Sequence, residues 1–189
     1  MICNVYYCTR KKEETPGAYV KKLLEYGFLD SFGLPYREEE VGRGEYGKPF
    51  SYIEGIHFNI SHGQYLAALV CADSPVGIDV ESPRRIAERA VQKSCTKKEL
   101  EWLGHSGDRM TDFLRLWTLK ESYVKMVGEG LRIPLREVEF FIEEEGKIHC
   151  NRKGIFRQYS LEEGVLSLCI EDTGLLWWEE EIKVRKMTF

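Results

Sequence analysis

The chain has 189 residues, 43% hydrophobic and 31% charged, with 27 Lys plus Arg against 31 Asp plus Glu and a net charge of −4. Such apolar content excludes a disordered chain, and the acidic balance argues against a dominant basic face for nucleic acid. No apolar run approaches the roughly 20 residues of a transmembrane helix. Met1-Ile2-Cys3-Asn4 does not begin a signal peptide, so a cytoplasmic globular protein with neither nucleic acid nor membrane as partner is expected.

Ile2 to Cys8 reads as a short strand. Thr15-Pro16 has the form of an N-cap followed by Pro in the first helical turn. Tyr19, Val20, Leu23, Leu24 and Phe28 then repeat at helical spacing up to Phe32-Gly33. A charged, Gly-rich stretch follows from Arg37 to Pro49. His57 to Ile60, Leu66 to Ala72 and Val76 to Glu81 read as strands, the last two joined by the turn Asp73-Ser74-Pro75. Thr96-Lys97-Lys98-Glu99 has the capping-box pattern and opens a short helix through Leu103. A long helix is predicted from Thr111 to Val127, ended by Gly128-Glu129-Gly130. The remainder is β-rich: Val138 to Ile142, Lys147 to Asn151, Ile155 to Ser160, Val165 to Glu171 and Leu175 to Val184. Helix plus antiparallel strands in each half is an α+β pattern. We divide the chain into an N-terminal half, 1–75, and a C-terminal half, 76–189, in one body with no sequence repeat between them.

The six cysteines are scattered with no C-x-x-C pair, which predicts free, mostly buried thiols rather than a zinc site. Gly42-Arg43-Gly44-Glu45-Tyr46-Gly47 matches G-x-G-x-x-G literally, yet no helical period follows it, so a dinucleotide site is rejected.

Three groups of residues remain. Asp79 and Glu81 stand two apart on a predicted strand and leave the same face, while Ile78 and Val80 face the other way. Two carboxylates about 4 Å apart repel by roughly 4 kcal/mol at an effective dielectric near 20, which a hard cation between them would relieve. On the long helix, Phe113, Leu116, Trp117, Val124 and Val127 form an apolar stripe, with Lys120 inside it and Glu121 and Lys125 along its border. A lysine in a buried stripe must snorkel out or meet an anion. Phe58-Asn59-Ile60-Ser61-His62-Gly63 ends a strand in small polar residues suited to phosphate oxygens.

Taken in order, Glu45-Tyr46-Gly47-Lys48-Pro49, Phe58-Asn59-Ile60-Ser61-His62, Val76-Gly77-Ile78-Asp79-Val80-Glu81 and Trp117-Thr118-Leu119-Lys120-Glu121-Ser122-Tyr123-Val124-Lys125 resemble the ordered signatures of Sfp-type 4′-phosphopantetheinyl transferases. Gly128-Glu129-Gly130-Leu131 extends the match, which runs from about residue 42 to 142. The resemblance implies two similar α+β halves in pseudo-twofold relation with the active site in the cleft between them. It implies transfer of the phosphopantetheine arm of coenzyme A to a serine of an acyl or peptidyl carrier protein, with release of 3′,5′-ADP. On that likeness Asp79, Glu81 and Glu121 would hold Mg²⁺, and Glu121 would serve as base for the carrier serine, directly or through water. Lys120 and Lys125 would contact the phosphates, Ser61 and His62 would bind the nucleotide phosphates, and Tyr46, Gly47, Lys48 and Pro49 would hold the adenine end. Arg84, Arg85 and Lys97 would contribute to docking an acidic carrier, and the enzyme would act as a monomer.

Two departures stand out. The basic N-terminal segment common in this family is short here, leaving Arg10, Lys11, Lys12, Lys21 and Lys22, and Gly63 follows the Ser-His pair where serine is frequent. A non-catalytic module that binds coenzyme A or a carrier is therefore the alternative, with a Mg²⁺-dependent phosphate-ester hydrolase as a third.

Overall fold

In the computed structural model, which describes residues 2–10, 15–174 and 182–189, two stretches of chain fold by the same connectivity. The first runs β1 (Cys3–Thr9), α1 (Pro16–Phe32), a hairpin of β2 (Val41–Arg43) and β3 (Pro49–Ser51), then β4 (His57–His62) and β5 (Leu66–Ala72). The second runs β6 (Val76–Glu81), α2 (Glu88–Ser94), α3 (Lys97–Gly104) and α4 (Arg109–Val127), then a hairpin of β7 (Phe140–Ile142) and β8 (Ile148–Cys150). It closes with β9 (Ile155–Leu161) and β10 (Gly164–Ile170). In each, the last strand takes the middle of an antiparallel sheet, β1-β5-β4 and β6-β10-β9. A final strand, β11 (Ile182–Met187), pairs parallel with β1 and extends the first sheet. The fold is α+β, and the duplication lies in the connectivity.

Alternation along the strands decides the layers. Val5 of β1, Leu66, Ala68 and Val70 of β5, Ile78 and Val80 of β6, and Leu166 and Leu168 of β10 share one core between the sheets. The opposite face of the first sheet, with Tyr6, Leu69 and Cys71, packs on Leu23 and Phe28 of α1. The second sheet offers Phe156 and Cys169 to Leu116 and Leu119 of α4. Every position of β5 and β10 is therefore buried; β5 reads as a continuous apolar run, and β10 is broken only by Ser167, whose hydroxyl is bonded to Thr118. The cysteines are free, and all but the half-buried Cys150 are buried.

Helix ends follow local chemistry. Gly33 and Gly128 close α1 and α4 in the left-handed conformation, each N–H reaching back to a carbonyl of the last turn. Thr96 and Glu99 form both legs of the expected capping box at α3. Thr15 stands at the N-cap of α1 but its side chain makes no capping bond. Helix α4 begins at Arg109, earlier than the apolar period indicates, because Asp108 caps it through Thr111 N. Val127 leaves the predicted stripe and is 38% exposed, whereas Leu114 and Met126 are buried, since α4 packs on the second sheet on one side and on α3 and the 133–140 segment on the other.

The G-x-G-x-x-G segment is the β2–β3 hairpin turn, closed by Gly44 N to Lys48 O at 2.9 Å and Gly47 N to Gly44 O at 2.9 Å. No helix follows it. Trp177-Trp178, the Glu179-Glu180-Glu181 run, Lys11 and Lys12 lie outside the described residues. Among the described residues no helix is long and apolar enough to cross a membrane.

One close approach sets the geometry of the site. Strand β6 packs so tightly on α4 at Gly77 that a Cβ there would fall 2.1 Å from the Ser122 carbonyl oxygen and 2.3 Å from Met126 N. Backbone, not a mobile side chain, occupies that space. Gly77→Ala is expected to destabilise the protein by at least the roughly 1–3 kcal/mol of an overpacked core. Denaturant unfolding checks this, and wild-type stability would show that the helix rides higher on the strand.

Candidate active site

The two halves meet where β4, an edge of the first sheet, runs beside β6, an edge of the second. No ladder joins them; instead side chains of β4 cap the free N–H groups of β6. Asn59 Oδ1 accepts from Ile78 N at 2.9 Å, and Ser61 Oγ accepts from Val80 N at 3.3 Å. With Ile78 and Val80 turned into the shared core, Gly77, Asp79 and Glu81 face the α4 side.

Asp79 and Ser61, both buried, and the half-buried Lys125 form a closed triangle. Lys125 Nζ lies 2.7 Å from Asp79 Oδ1 and 2.9 Å from Ser61 Oγ, and Ser61 Oγ donates to Asp79 Oδ1 at 2.8 Å. The second oxygen, Asp79 Oδ2, is buried with no hydrogen-bond partner, an expensive state for a carboxylate oxygen. One turn before Lys125 on α4, Glu121 is held above the ordinary glutamate pKa, chiefly by burial and then by the neighbouring Asp79 charge. Lys125 opposes that shift and Glu81 adds to it. Glu81 itself faces Arg84, whose Nε and Nη2 reach its two oxygens at 3.2 and 3.1 Å.

Glu121 and Lys125 open onto a cleft of about 310 Å³ between the halves. Tyr46, Gly47, Lys48 and Pro49 of the β2–β3 hairpin form one wall, and Val124, Ile133 and Leu135 supply apolar surface opposite. Lys48 bridges the halves, donating to Val76 O at 3.2 Å and to Met126 O at 2.9 Å near the end of α4. Burial lowers its pKa to about 8. Tyr46 is tied to the second half as well: its hydroxyl accepts from Arg132 Nη1 at 2.6 Å, with the guanidinium over its ring. A larger hollow of about 450 Å³ lies across the hairpin, against α1. It lacks the converging carboxylates, so the smaller cleft is the candidate site.

Not every sequence-predicted residue arrives there. Lys120 is a correction. It is fully buried on the far side of α4, where its ammonium pairs with Glu99 Oε2 at 2.8 Å and donates to the carbonyls of Leu135 and Val138. The anion that a buried lysine demands is a carboxylate of α3, not a phosphate. Ser61 turns inward to Asp79 and Lys125, while the adjacent His62, of opposite strand parity, is exposed. The sequence gives no role to Asn59, which pins β6, and only a capping role to Glu99, whose carboxylate accepts from Thr96 N and also from Phe140 N while pairing with Lys120. A buried Asn in a strand with an unpaired edge carries no distinctive spacing, and the capping-box spacing that marks Glu99 says nothing of a second partner on another helix.

Among the described residues no three His, Cys, Asp or Glu side chains stand close enough to form a ready-made metal site. The chemistry of the donors nevertheless suits a hard divalent cation: carboxylate oxygens only, one of them buried and unpartnered, beside a carboxyl group whose ionisation is disfavoured by burial and by the Asp79 charge.

Residues 75–174, more than half of the chain, match the 4′-phosphopantetheinyl transferase superfamily. The chain belongs to that superfamily. It is 36% identical over 124 residues to the 4′-phosphopantetheinyl transferase gsp of Aneurinibacillus migulanus, covering 65% of this chain and 51% of that one. It is 34% identical over 107 residues to the 4′-phosphopantetheinyl transferase Sfp of Bacillus subtilis, covering 55% and 48%. The crystal structure of holo-[acyl-carrier-protein] synthase from Thermotoga maritima matches at 23% identity and a TM-score of 0.45, over 51% of this chain and 62% of that one. The chain spans about half the length of these two curated relatives. The segment matched to the superfamily contains Asp79, Glu81, Glu121 and Lys125, whereas Tyr46 to Pro49, Ser61 and His62 precede it.

Glu121 gives a prediction for the metal-free protein. Because its folded-state pKa is raised, the native state binds the extra proton between the ordinary and the raised value, and stability falls as pH climbs through that window. Glu121→Gln removes the loss. Its stability relative to wild type, measured by urea unfolding in a chelator, is expected to rise from pH 4 to pH 7. A pH-independent difference would contradict the assignment.

Proposed function

We propose that the chain transfers the phosphopantetheine arm of coenzyme A to a serine hydroxyl of an acyl or peptidyl carrier protein, releasing 3′,5′-ADP. The observation that carries this reading is Asp79: a buried carboxylate with one oxygen on Lys125 and the other unpartnered, at a junction where Glu121 opens onto the cleft. Superfamily membership supplies the reaction class. Asp79 and Glu121 would hold Mg²⁺, joined by Glu81 when it leaves Arg84. When bound, the ion supplies charge neutralisation on the diphosphate, which phosphoryl transfer needs more than covalent help.

The chain's own residues do the rest. Glu121, which opens onto the cleft, takes the proton of the carrier serine, directly or through a water, as the serine oxygen bonds to phosphorus. The phosphorus–oxygen bond to the leaving 3′,5′-ADP breaks in the same displacement. Lys125 stays within reach of the phosphates while fixing Asp79, and Ser61 fixes both. Tyr46 to Pro49 hold the adenine end, and the exposed His62 meets the nucleotide phosphates. Arg84, Arg85 and Lys97, all exposed, offer positive charge to an acidic carrier. Both walls of the cleft come from one chain, which supports action as a monomer.

The test is incubation of the protein with coenzyme A, Mg²⁺ and an apo carrier protein, read by mass spectrometry. The carrier is expected to gain the mass of one phosphopantetheine arm, with 3′,5′-ADP formed only when the carrier is present. Tight coenzyme A binding without transfer across several carrier types would favour the non-catalytic module. Release of 3′,5′-ADP without a carrier would favour a hydrolase.

A further inference from the structure

Two of the three acidic residues at the junction already carry an internal cation. Asp79 Oδ1 is paired with Lys125, and Glu81 is held by both arms of the Arg84 guanidinium at 3.1 and 3.2 Å. The two cations differ in how firmly they are placed. Lys125 projects from α4, is 27% exposed and is shared with Ser61. Arg84 follows the Ser82-Pro83 turn after β6 and is 43% exposed, and its partner Glu81 is 16% exposed. The pair is exposed at its Arg84 end only, and a surface ion pair is typically worth about 0.2–1 kcal/mol, about a 1.4- to 5-fold equilibrium constant.

We infer that Arg84 is an exchangeable counterion: it occupies Glu81 in the metal-free protein and is displaced when a divalent cation enters beside Asp79. This rests on the metal-binding reading above. It accounts for three acidic side chains on one junction that do not form a ready-made site, since the third is turned to a guanidinium instead. Within the cluster, the buried Asp79 Oδ2 has no hydrogen-bond partner and is the oxygen a divalent cation would take. The exchange is favoured because a hard ion of charge two bonds carboxylate oxygen directly, while Arg84 loses only a pair exposed at its own end and regains water. Lys125 cannot play this part, because its departure would also strip Ser61 of a bond.

The test is calorimetric titration of Mg²⁺ into the full chain, with wild type beside Arg84→Gln and Arg85→Gln. Both variants remove one positive charge from the same exposed segment, but only the first removes the cation bonded to Glu81. Arg84→Gln is expected to bind Mg²⁺ about two- to fivefold more tightly than wild type. Arg85→Gln should gain clearly less, and the Arg84→Gln gain should vanish in a Glu81→Gln background. Unchanged or weaker binding by Arg84→Gln would overturn the inference, as would an equal gain from Arg85→Gln. If neither wild type nor any variant binds Mg²⁺, the metal-binding reading fails first and takes this one with it.

Discussion

Asp79→Asn is expected to lower transfer to the carrier by at least about 10²- to 10³-fold, the cost of removing one preorganised electrostatic group from a reaction centre. The substitution keeps Oδ1 as an acceptor for Ser61 and Lys125, so the triangle that joins β4, β6 and α4 survives. What it removes is the negative charge at the buried, unpartnered Oδ2. Activity should therefore fall while the protein stays folded, with a thermal unfolding temperature modestly below that of wild type because Lys125 loses its ionic partner. Transfer kinetics measured beside a melting curve check both halves of the expectation. An Asp79→Asn protein that keeps wild-type turnover would show that the diphosphate is neutralised elsewhere.

Lys120→Met should have its effect on the fold instead. The change leaves Glu99 charged and buried with its cation gone, and breaking one partner of a buried pair costs about 3–5 kcal/mol. The loss extends past the pair, because the same ammonium holds the Leu135 and Val138 carbonyls, and Leu135 is part of the cleft wall. The double variant Glu99→Gln/Lys120→Met, which buries no charge, is expected to recover much of the stability lost by Lys120→Met alone. Urea unfolding of both proteins provides the comparison. A Lys120→Met protein as stable as wild type but unable to bind coenzyme A would restore the phosphate-binding role that the sequence first implied.

The contrast between these two residues shows how far the sequence could be read. Asp79 and Lys125 were legible because strand parity and helical spacing place each on a definite face, and the tight Gly77 contact then brings those faces together. Lys120 was misplaced by the same periodicity. A stripe says that a side chain is buried, but not which carboxylate waits for it, and Glu99 sits 21 positions away on another helix. Position 99 already had a sufficient local explanation as a capping residue, which hid its second role. Leu66 to Ala72 and Val76 to Glu81 were bounded correctly because Pro and Asp turns delimit them, and apolar composition marks their burial. The matching connectivity of the halves left no trace in the sequence, since sheet order is fixed by packing between distant segments. Asp108, which starts α4, was passed over because the apolar period begins only after it.

Every role proposed for the cleft depends on a divalent ion beside Asp79. Electron paramagnetic resonance of Mn²⁺, used in place of Mg²⁺ and titrated with coenzyme A present, tests this without relying on turnover. Wild type is expected to take up one Mn²⁺ per chain, and Asp79→Asn to lose that binding while remaining folded. Equal uptake by the two proteins would place the ion elsewhere and contradict the assignment.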